Sequence, residues 1–246
     1  MNEPASFIKS YLEEVNQSIR ELNGEAQLTC RQKAWLGFCL TGMLLVNGIN
    51  WAKFERAGLG KYKIGALSWV FRHAQIAWST LFIASVKLTL KQYGITEGIL
   101  VLDESERARS KQTKRLYKTY KQKDKATGGY VNGQTMVLLL LVSDSITIPV
   151  GFTFYMPDPV LSAWRKEDKR LITKGVSKRN RPSEPQRNPH YPTKVELGLN
   201  LLHQFQETHR EITVKVILAD ALYGESQFLD QAAHIWGKVQ VISQLT

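Results

Sequence analysis

The spacing of apolar residues changes near residue 95, and this change divides the chain into two parts. In the first part, apolar residues recur at steps of three and four, which is typical of a helix with one buried face; they are Ile8, Leu12, Val15, Ile19 and Leu22. Further helices are predicted over residues 32–47 and 66–91, the second with a break near His73. The helical part also contains tryptophans that we predict to lie mainly in its core: Trp35, Trp51, Trp69 and Trp78.

Short apolar runs replace the helical spacing from residue 98 onward. They predict strands over residues 98–103, 135–143, 146–154, 214–220 and 238–243. Pro149 lacks a backbone donor and favours an edge position for its strand. Thr193 and Glu196 form a capping-box pattern that opens a helix, with an expected core stripe of Val195, Leu199, Leu202 and Phe205. A last helix is predicted over residues 225–236.

The predicted order is strand, strand, strand, helix, strand, helix, strand. We therefore predict an α/β protein in which a helical domain, residues 1–95, precedes a ribonuclease-H-like domain, residues 96–246. The mixed sheet of that second domain would combine a three-strand meander with parallel strands and helices. Residues 157–192 carry many prolines and charges and predict a long, basic surface excursion.

The chain is strongly basic, with 33 Lys and Arg against 22 Asp and Glu and a formal net charge of +11. Such a balance indicates a polyanionic partner, either nucleic acid or an acidic membrane surface; the alternative is a basic protein without such a partner. Cys30 and Cys39 show no zinc spacing and are expected to be buried thiols in a reducing compartment. Neither a membrane span nor a signal peptide is apparent. The predicted location is therefore cytoplasmic, without a membrane partner.

A strongly basic run follows Asp103 directly. We predict that this run contacts DNA phosphates through Arg107, Arg109, Lys111, Lys114, Arg115, Lys118, Lys121 and Lys123. Contacts of this kind give affinity that depends on salt and is largely independent of base sequence. The alternative is a solvated loop, and the position of the run directly after Asp103 argues against it.

Asp103 and Asp220 each end an apolar run that is predicted to be a buried strand. In the expected topology these two strands are neighbours, so the two carboxylates would meet at one edge and hold divalent metal for phosphodiester cleavage. Either residue alone is better explained as a turn cap, but the pair favours a metal site. Glu104 and Glu106 are assigned to solvated turn positions, and Glu225 to a helix start.

These residues resemble the DDE transposases of bacterial insertion sequences. The resemblance rests on Asp103-Glu104-Ser105 and on Asp220-Ala-Leu-Tyr223-Gly224, an Asp-x-x-Tyr-Gly pattern around the second acid. It implies that Asp103 and Asp220 are the first two catalytic, metal-binding acids, with Mg²⁺ or Mn²⁺ as cofactor. It also implies that residues 1–95 bind the element ends, and that an oligomer cuts double-stranded DNA and joins it to a target.

The family's third acid lies in a Tyr-x-x-Arg-x-x-x-Glu helix, and no such pattern follows Asp220. We therefore expect a transposase truncated before its third acid, which binds DNA, cuts poorly alone, and forms homo-oligomers or pairs with a full-length transposase near the bacterial nucleoid. Two alternatives remain open. One is a non-catalytic DNA-binding regulator of transposition, and the other is a different ribonuclease-H-like nuclease, such as a resolvase.

Overall fold

The computed structural model describes residues 3–58, 62–113, 116–124 and 127–244. The chain forms two compact units, Met1–Gly94 and Ile95–Thr246. The first unit is helical, and the second contains a six-stranded sheet with helices.

The helical unit contains α1 (Ser6–Leu22), α2 (Cys30–Val46), α3 (Trp51–Ala57), α4 (Ile64–His73) and α5 (Trp78–Gln92). The stripe predicted for the first helix is confirmed at four of its five positions, because Ile8, Leu12, Val15 and Ile19 are buried in α1, while Leu22 is half-buried. The break predicted near His73 is confirmed as well, since α4 ends at that residue. Within the described residues no single helix is long and apolar enough to cross a membrane, although α2 and α3, bent by 89°, pass that test as a pair.

Aromatic rings form much of the core of this unit. Trp35 is 7% exposed, and its ring centroid lies 5.9 Å from that of Trp51 and 6.3 Å from that of Trp78. The core prediction is wrong for Trp69 and Trp78, which are 50% and 44% exposed. Trp69 stacks on His73 one helical turn away.

The two cysteines lie in different environments. Cys39 is buried, as expected, and burial raises the pKa of its thiol to about 12. Cys30 is exposed, so the expectation of a buried thiol is wrong there. Its position at the first residue of α2 accounts for the difference, because the α2 residues that are buried begin at Trp35.

The sheet of the second unit is mixed, and its topology confirms the predicted fold class. Its strands are β1 (Glu97–Ala108), β2 (Tyr120–Lys123), β3 (Tyr130–Val142), β4 (Thr147–Tyr155), β5 (Thr213–Ala219) and β6 (Gln240–Ser243). The order is β2-β3-β1-β5-β6, with β4 also paired to β3. Strand β1 is antiparallel to β3 and parallel to β5, and β5 is parallel to β6. This arrangement, with its associated helices, is consistent with a ribonuclease-H-like fold.

Helix α7 (Lys194–Thr208) begins with the predicted capping box, in which the Thr193 side chain accepts from the Glu196 amide and Glu196 accepts from the Thr193 amide. Its buried side, however, consists of Leu197, Gly198, Leu201, Leu202 and Phe205. Val195 and Leu199 are only half-buried, so half of the predicted stripe is wrong. Gly198 explains the shift, since the missing side chain lets the helix approach the sheet at this point.

The prolines of residues 157–192 indicated a long surface excursion, but this segment is not wholly irregular. It contains α6 (Pro159–Thr173), a 15-residue helix without buried residues. The Asp158 side chain accepts from the amides of Val160 and Leu161 at 2.8 and 3.3 Å. Pro159 occupies the first turn, where its missing N–H costs no hydrogen bond. The pair Asp158-Pro159 is therefore a helix-start signal that outweighs the loop-forming tendency of the later prolines.

We predict that Gly198→Ala destabilises the sheet unit by about 1–3 kcal/mol through overpacking. A Cβ at this position would lie 2.6 Å from Leu102 Cδ2 and 3.0 Å from Tyr223 Cε1. Urea unfolding measures the change. Gly129→Ala is the control, because the added Cβ would meet Thr127 Oγ1 at an ordinary 3.5 Å. Equal stability of the two variants would contradict the close packing at Gly198.

Candidate active site

The pairing of β1 with β5 places the two predicted acids beside each other. Leu102 pairs with Ala219 in parallel register, and the Asp220 amide lies 3.4 Å from the Leu102 carbonyl oxygen. Asp103 and Asp220 are the next residues of the two segments. Because neighbouring strands lie about 4.8 Å apart, the two residues occupy adjacent positions at the same level of the sheet.

The prediction that Asp103 ends its strand is wrong. Strand β1 continues for five residues to Ala108, and it remains paired with β3 from Asp103 opposite Leu138 to Ala108 opposite Gly133. Only the parallel part of β1 ends at Leu102, since β5 ends at Ala219. Asp103 therefore lies where β1 loses its partner on one side and keeps its partner on the other.

Both carboxylates are exposed and each accepts a hydrogen bond from the next backbone amide. Asp103 Oδ1 lies 2.7 Å from the Glu104 nitrogen, and Asp220 Oδ1 lies 2.6 Å from the Ala221 nitrogen. The Ser243 hydroxyl donates to the Asp220 carbonyl at 2.8 Å, so the end of β6 also holds this segment. One oxygen of each carboxylate is thereby oriented by the backbone.

Neither aspartate forms an ion pair with any residue that the structure describes. Two like charges at neighbouring positions repel each other, and a bound cation removes that repulsion. Carboxylate oxygens are also the donors that Mg²⁺ prefers, and Mg²⁺ is commonly held by one or two carboxylates together with water and substrate phosphates. Asp103 and Asp220 therefore fit a divalent ion of this kind.

The described residues supply no third protein ligand to this arrangement. Among the described residues, no group of three or more His, Cys, Asp or Glu side chains could hold a metal ion. Glu225, which was assigned to a helix start, lies at the N-cap of α8 (Ser226–Ile235). The third acid implied by the resemblance is thus not found in the described part of the chain.

Tyr223 and Gly224 both shape the turn after Asp220. Tyr223 lies in a 3₁₀ turn over Ala221–Tyr223, is 0% exposed, and has its ring centroid 5.1 Å from that of Phe228. A Cβ on Gly224 would lie 2.9 Å from the carbonyl oxygen of Gln244. The glycine therefore lets the chain after β6 pass close to this turn.

Sequence reasoning missed a partly buried ion pair behind the two acids. Glu104 was assigned to a solvated turn, which is wrong, because it lies in β1 with a side chain that is only 14% exposed. Its Oε2 is paired with the Nζ of Lys194, the first residue of α7. The alternation of Leu100, Leu102 and Glu104 on one face of β1 is the signal that could have revealed this position.

Tyr223 is the second group behind the acids that sequence reasoning did not examine. Burial raises the pKa of its hydroxyl, and the negative charges of Glu104, Asp103 and Asp220 raise it further, in that order of size. The three carboxylates therefore act on one buried hydroxyl, with Glu104 as its strongest charged neighbour.

The described part of the basic run lies partly in strands and partly in an exposed loop. Lys114 and Arg115 lie outside the described residues. Arg107 belongs to β1, while Lys121 and Lys123 belong to β2, a strand that was not predicted because its four residues carry no apolar run. The Lys118 ammonium donates to the Phe154 carbonyl at 2.7 Å, and the Lys121 ammonium lies 4.4 Å from the Tyr130 ring centroid.

Two amide side chains of β3 hold the segment that follows β1. Gln134 Oε1 accepts from Arg109 Nε and Nη2 at 3.2 and 3.0 Å, and Gln134 Nε2 donates to the Tyr117 carbonyl at 2.7 Å. Asn132 Nδ2 lies 2.9 Å from the carbonyl oxygens of Lys111 and Thr113. Sequence reasoning missed both residues. They bind the Arg109 side chain and the backbone of Lys111, Thr113 and Tyr117 to β3.

The sheet order and the adjacent carboxylates are those of the ribonuclease-H-like class of nucleases. Within that class, the chain belongs to the family described as DDE superfamily endonuclease, whose sequence profile matches residues 26–241. Membership implies a transposase-like nuclease activity on nucleic acid, and enzymes of this family generally use a divalent metal. None of the curated proteins matches the chain significantly.

We predict that Gln134→Met lowers the stability of the sheet unit by about 1–3 kcal/mol, because the Tyr117 carbonyl and the Arg109 guanidinium lose a buried partner. Urea unfolding is the measurement. Gln227→Met, at an exposed position of α8, serves as the control and is expected to be neutral. A neutral effect at both positions would mean that the amide does not hold the segment.

Proposed function

We propose that this protein is a transposase that cuts double-stranded DNA at the ends of an element and joins the 3′ end to a target. The observation that carries the proposal is the adjacent position of Asp103 and Asp220 on β1 and after β5, with neither carboxylate engaged in an ion pair among the described residues. Two neighbouring carboxylates without a positive partner repel each other, and a bound cation reduces this repulsion. Membership of the DDE endonucleases implies a nucleic acid substrate, and we propose that this substrate is double-stranded DNA.

Asp103 and Asp220 are the residues that would hold Mg²⁺ or Mn²⁺. Such ions lower the pKa of a bound water and neutralise the charge that develops on the phosphate. The protein's own contribution is to fix the carboxylates. The backbone amides of Glu104 and Ala221 orient one oxygen of each acid, and the Ser243 hydroxyl holds the Asp220 carbonyl.

The basic run is proposed to bind the DNA backbone next to these acids. Arg107 lies on β1 only four residues beyond Asp103, a distance along an extended strand of about 13 Å, or roughly four base steps of duplex DNA. Arg109 and Lys111 follow in a segment that Gln134 and Asn132 fix to β3. Cations held in place lose less conformational freedom when they contact phosphate than cations on a mobile loop.

The helical unit is proposed to bind the element ends. Helices α3 and α4 carry three exposed basic side chains, Lys53, Arg56 and Arg72, which we propose contact DNA phosphates; residues 59–61, between the two helices, lie outside the described residues. We further propose that the protein acts as an oligomer, in the bacterial cytoplasm near the nucleoid.

A second function is favoured by one observation. Because two rather than three carboxylates form the site within the described residues, a DNA-binding regulator of transposition without cleavage activity remains the main alternative. It would bind the same DNA, and its binding would not depend on Asp103 or Asp220.

We predict that Asp103→Asn and Asp220→Asn each abolish Mn²⁺-dependent nicking of element-end DNA. The expected loss exceeds the roughly 10–100-fold that removal of an outer-shell partner of a metal costs. DNA affinity in gel shifts should stay within about two-fold of the parent, because the phosphate contacts come from other residues. Nicking is followed on labelled duplex DNA.

Asp144→Asn, in the turn between β3 and β4, is the matched control and should cut like the parent protein. If the parent binds the DNA but does not nick it, the regulator is the correct function. Nicking that survives Asp220→Asn would contradict the proposed site.

We also predict that Lys111→Gln and Lys121→Gln each weaken DNA binding uniformly across sequences. The slope of log affinity against log salt is negative, and each substitution should reduce its magnitude by about 1, since one phosphate contact is lost. Gel shifts between low and moderate salt measure the slope. Lys215→Gln is the control, because that ammonium is paired with Glu97 at 2.5 Å on β1. An unchanged slope in all three variants would remove the basic run from the DNA interface.

A further inference from the structure

Two buried polar atoms lie behind the acids without a hydrogen-bond partner among the described residues. They are Glu104 Oε1 and the Tyr223 hydroxyl. A buried polar group that lacks a partner is destabilising, and most such groups in native proteins have one. The two atoms are also complementary, because a carboxylate oxygen can only accept and a tyrosine hydroxyl can donate.

Both side chains lie on the face of the sheet that α7 covers. Gly198 of α7 leaves room for both the Leu102 side chain and the Tyr223 ring, since a Cβ at this glycine would lie 2.6 Å from the first and 3.0 Å from the second. Glu104 follows Leu102 by two residues in β1 and so lies on the same face of the sheet. Among charged groups, Glu104 has the strongest influence on the Tyr223 hydroxyl.

We propose that the Tyr223 hydroxyl donates to one enclosed water, which in turn donates to Glu104 Oε1. Lys194, Glu104 and Tyr223 then form one buried chain of polar contacts, since Lys194 is already paired with the other oxygen of Glu104. Glu104 and Tyr223 are assigned as positioning residues of the site, and neither touches the substrate.

The position of this chain gives it a functional consequence. Glu104 is the neighbour of Asp103, and Tyr223 is three residues from Asp220, so the contact joins the two segments that carry the acids. Lys194 connects both to the first turn of α7, where its ammonium also lies 5.5 Å from the Tyr155 ring centroid. This role rests on the proposed function of Asp103 and Asp220, because it consists of holding those two carboxylates at a fixed separation.

The hydrogen bond is tested without metal by a double-mutant cycle with Tyr223→Phe and Glu104→Met. Tyr223→Phe should lower the folding equilibrium constant about five-fold, as expected for one lost hydrogen bond. In the Glu104→Met background, Tyr223→Phe should not lower the folding equilibrium constant further. The loss of a partner for Lys194 is common to the single and double Glu104 variants, so it cancels in the cycle.

Two tyrosines serve as matched controls. Tyr120→Phe removes a hydroxyl that lies 2.6 Å from Thr135 Oγ1, and it should also destabilise the protein. Tyr130→Phe, at a residue that is 59% exposed, should be neutral. If Glu104→Met does not fold, Tyr223→Phe alone still decides. A hydroxyl without a partner would make the phenylalanine variant as stable as the parent or more stable, and that result would overturn the hydrogen bond.

The positioning role is tested with Mn²⁺ as the probe, through the rise in unfolding midpoint that a bound ligand causes. Tyr223→Phe should need about ten-fold more Mn²⁺ for the same rise, as outer-shell substitutions commonly do, and Tyr120→Phe should need no more than the parent. An unchanged Mn²⁺ requirement in Tyr223→Phe would overturn the positioning role.

The two proposals can fail separately. If Mn²⁺ stabilises neither the parent nor Asp103→Asn, the proposed metal site fails and the positioning role fails with it. The metal-free cycle would still decide whether Tyr223 and Glu104 are coupled.

Discussion

The site depends on the parallel pairing of β1 with β5. Parallel strands need a long crossover, so residues distant in sequence meet only when the intervening chain has folded around the sheet. Here the crossover contains β2, β3, β4, α6 and α7, and the register of Leu102 with Ala219 sets Asp103 beside Asp220. A shift of that register by one residue would turn one carboxylate to the opposite face. The core on the α7 side prevents such a shift, since Leu100 and Ile217 are fully buried partners in it.

The continuation of β1 beyond the acids links the site to the basic run. Because β3 is 13 residues long, it pairs with β1 as far as Ala108 and then supplies Asn132 and Gln134 to the segment that follows. The same strand thus supports the segment with the first acid and the cations proposed to hold the DNA. A lysine-rich segment would otherwise repel itself and stay extended in solvent. Amide side chains that accept from a guanidinium and donate to carbonyl oxygens hold this one on the sheet.

Much of the secondary structure follows from local patterns. The stripe of α1 and the capping box of α7 depend only on residues within a few positions of each other, and both predictions are confirmed. The errors in predicting strands occur where pairing with a residue distant in sequence determines whether a strand forms and where it ends. Strand β2 exists because β3 pairs with it, and β1 extends past Asp103 because β3 continues beside it. Helix α6 was missed for a local reason. The later prolines of the segment suggested a surface loop, and the Asp158-Pro159 pair that starts the helix was overlooked.

The sequence by itself determined the class of fold, the basic character of the chain and the two candidate acids, Asp103 and Asp220. Apolar runs and charge are properties of the chain alone. It also contained the Asp-x-x-Tyr-Gly pattern. The profile match confirms that the chain belongs to the DDE superfamily endonucleases. Only the tertiary structure decided that Glu104 is buried against Lys194 and that Tyr223 lies behind both acids. The physical reason is that burial and pairing depend on which helix covers a strand face, and α7 reaches this face through a glycine whose role no local pattern reveals.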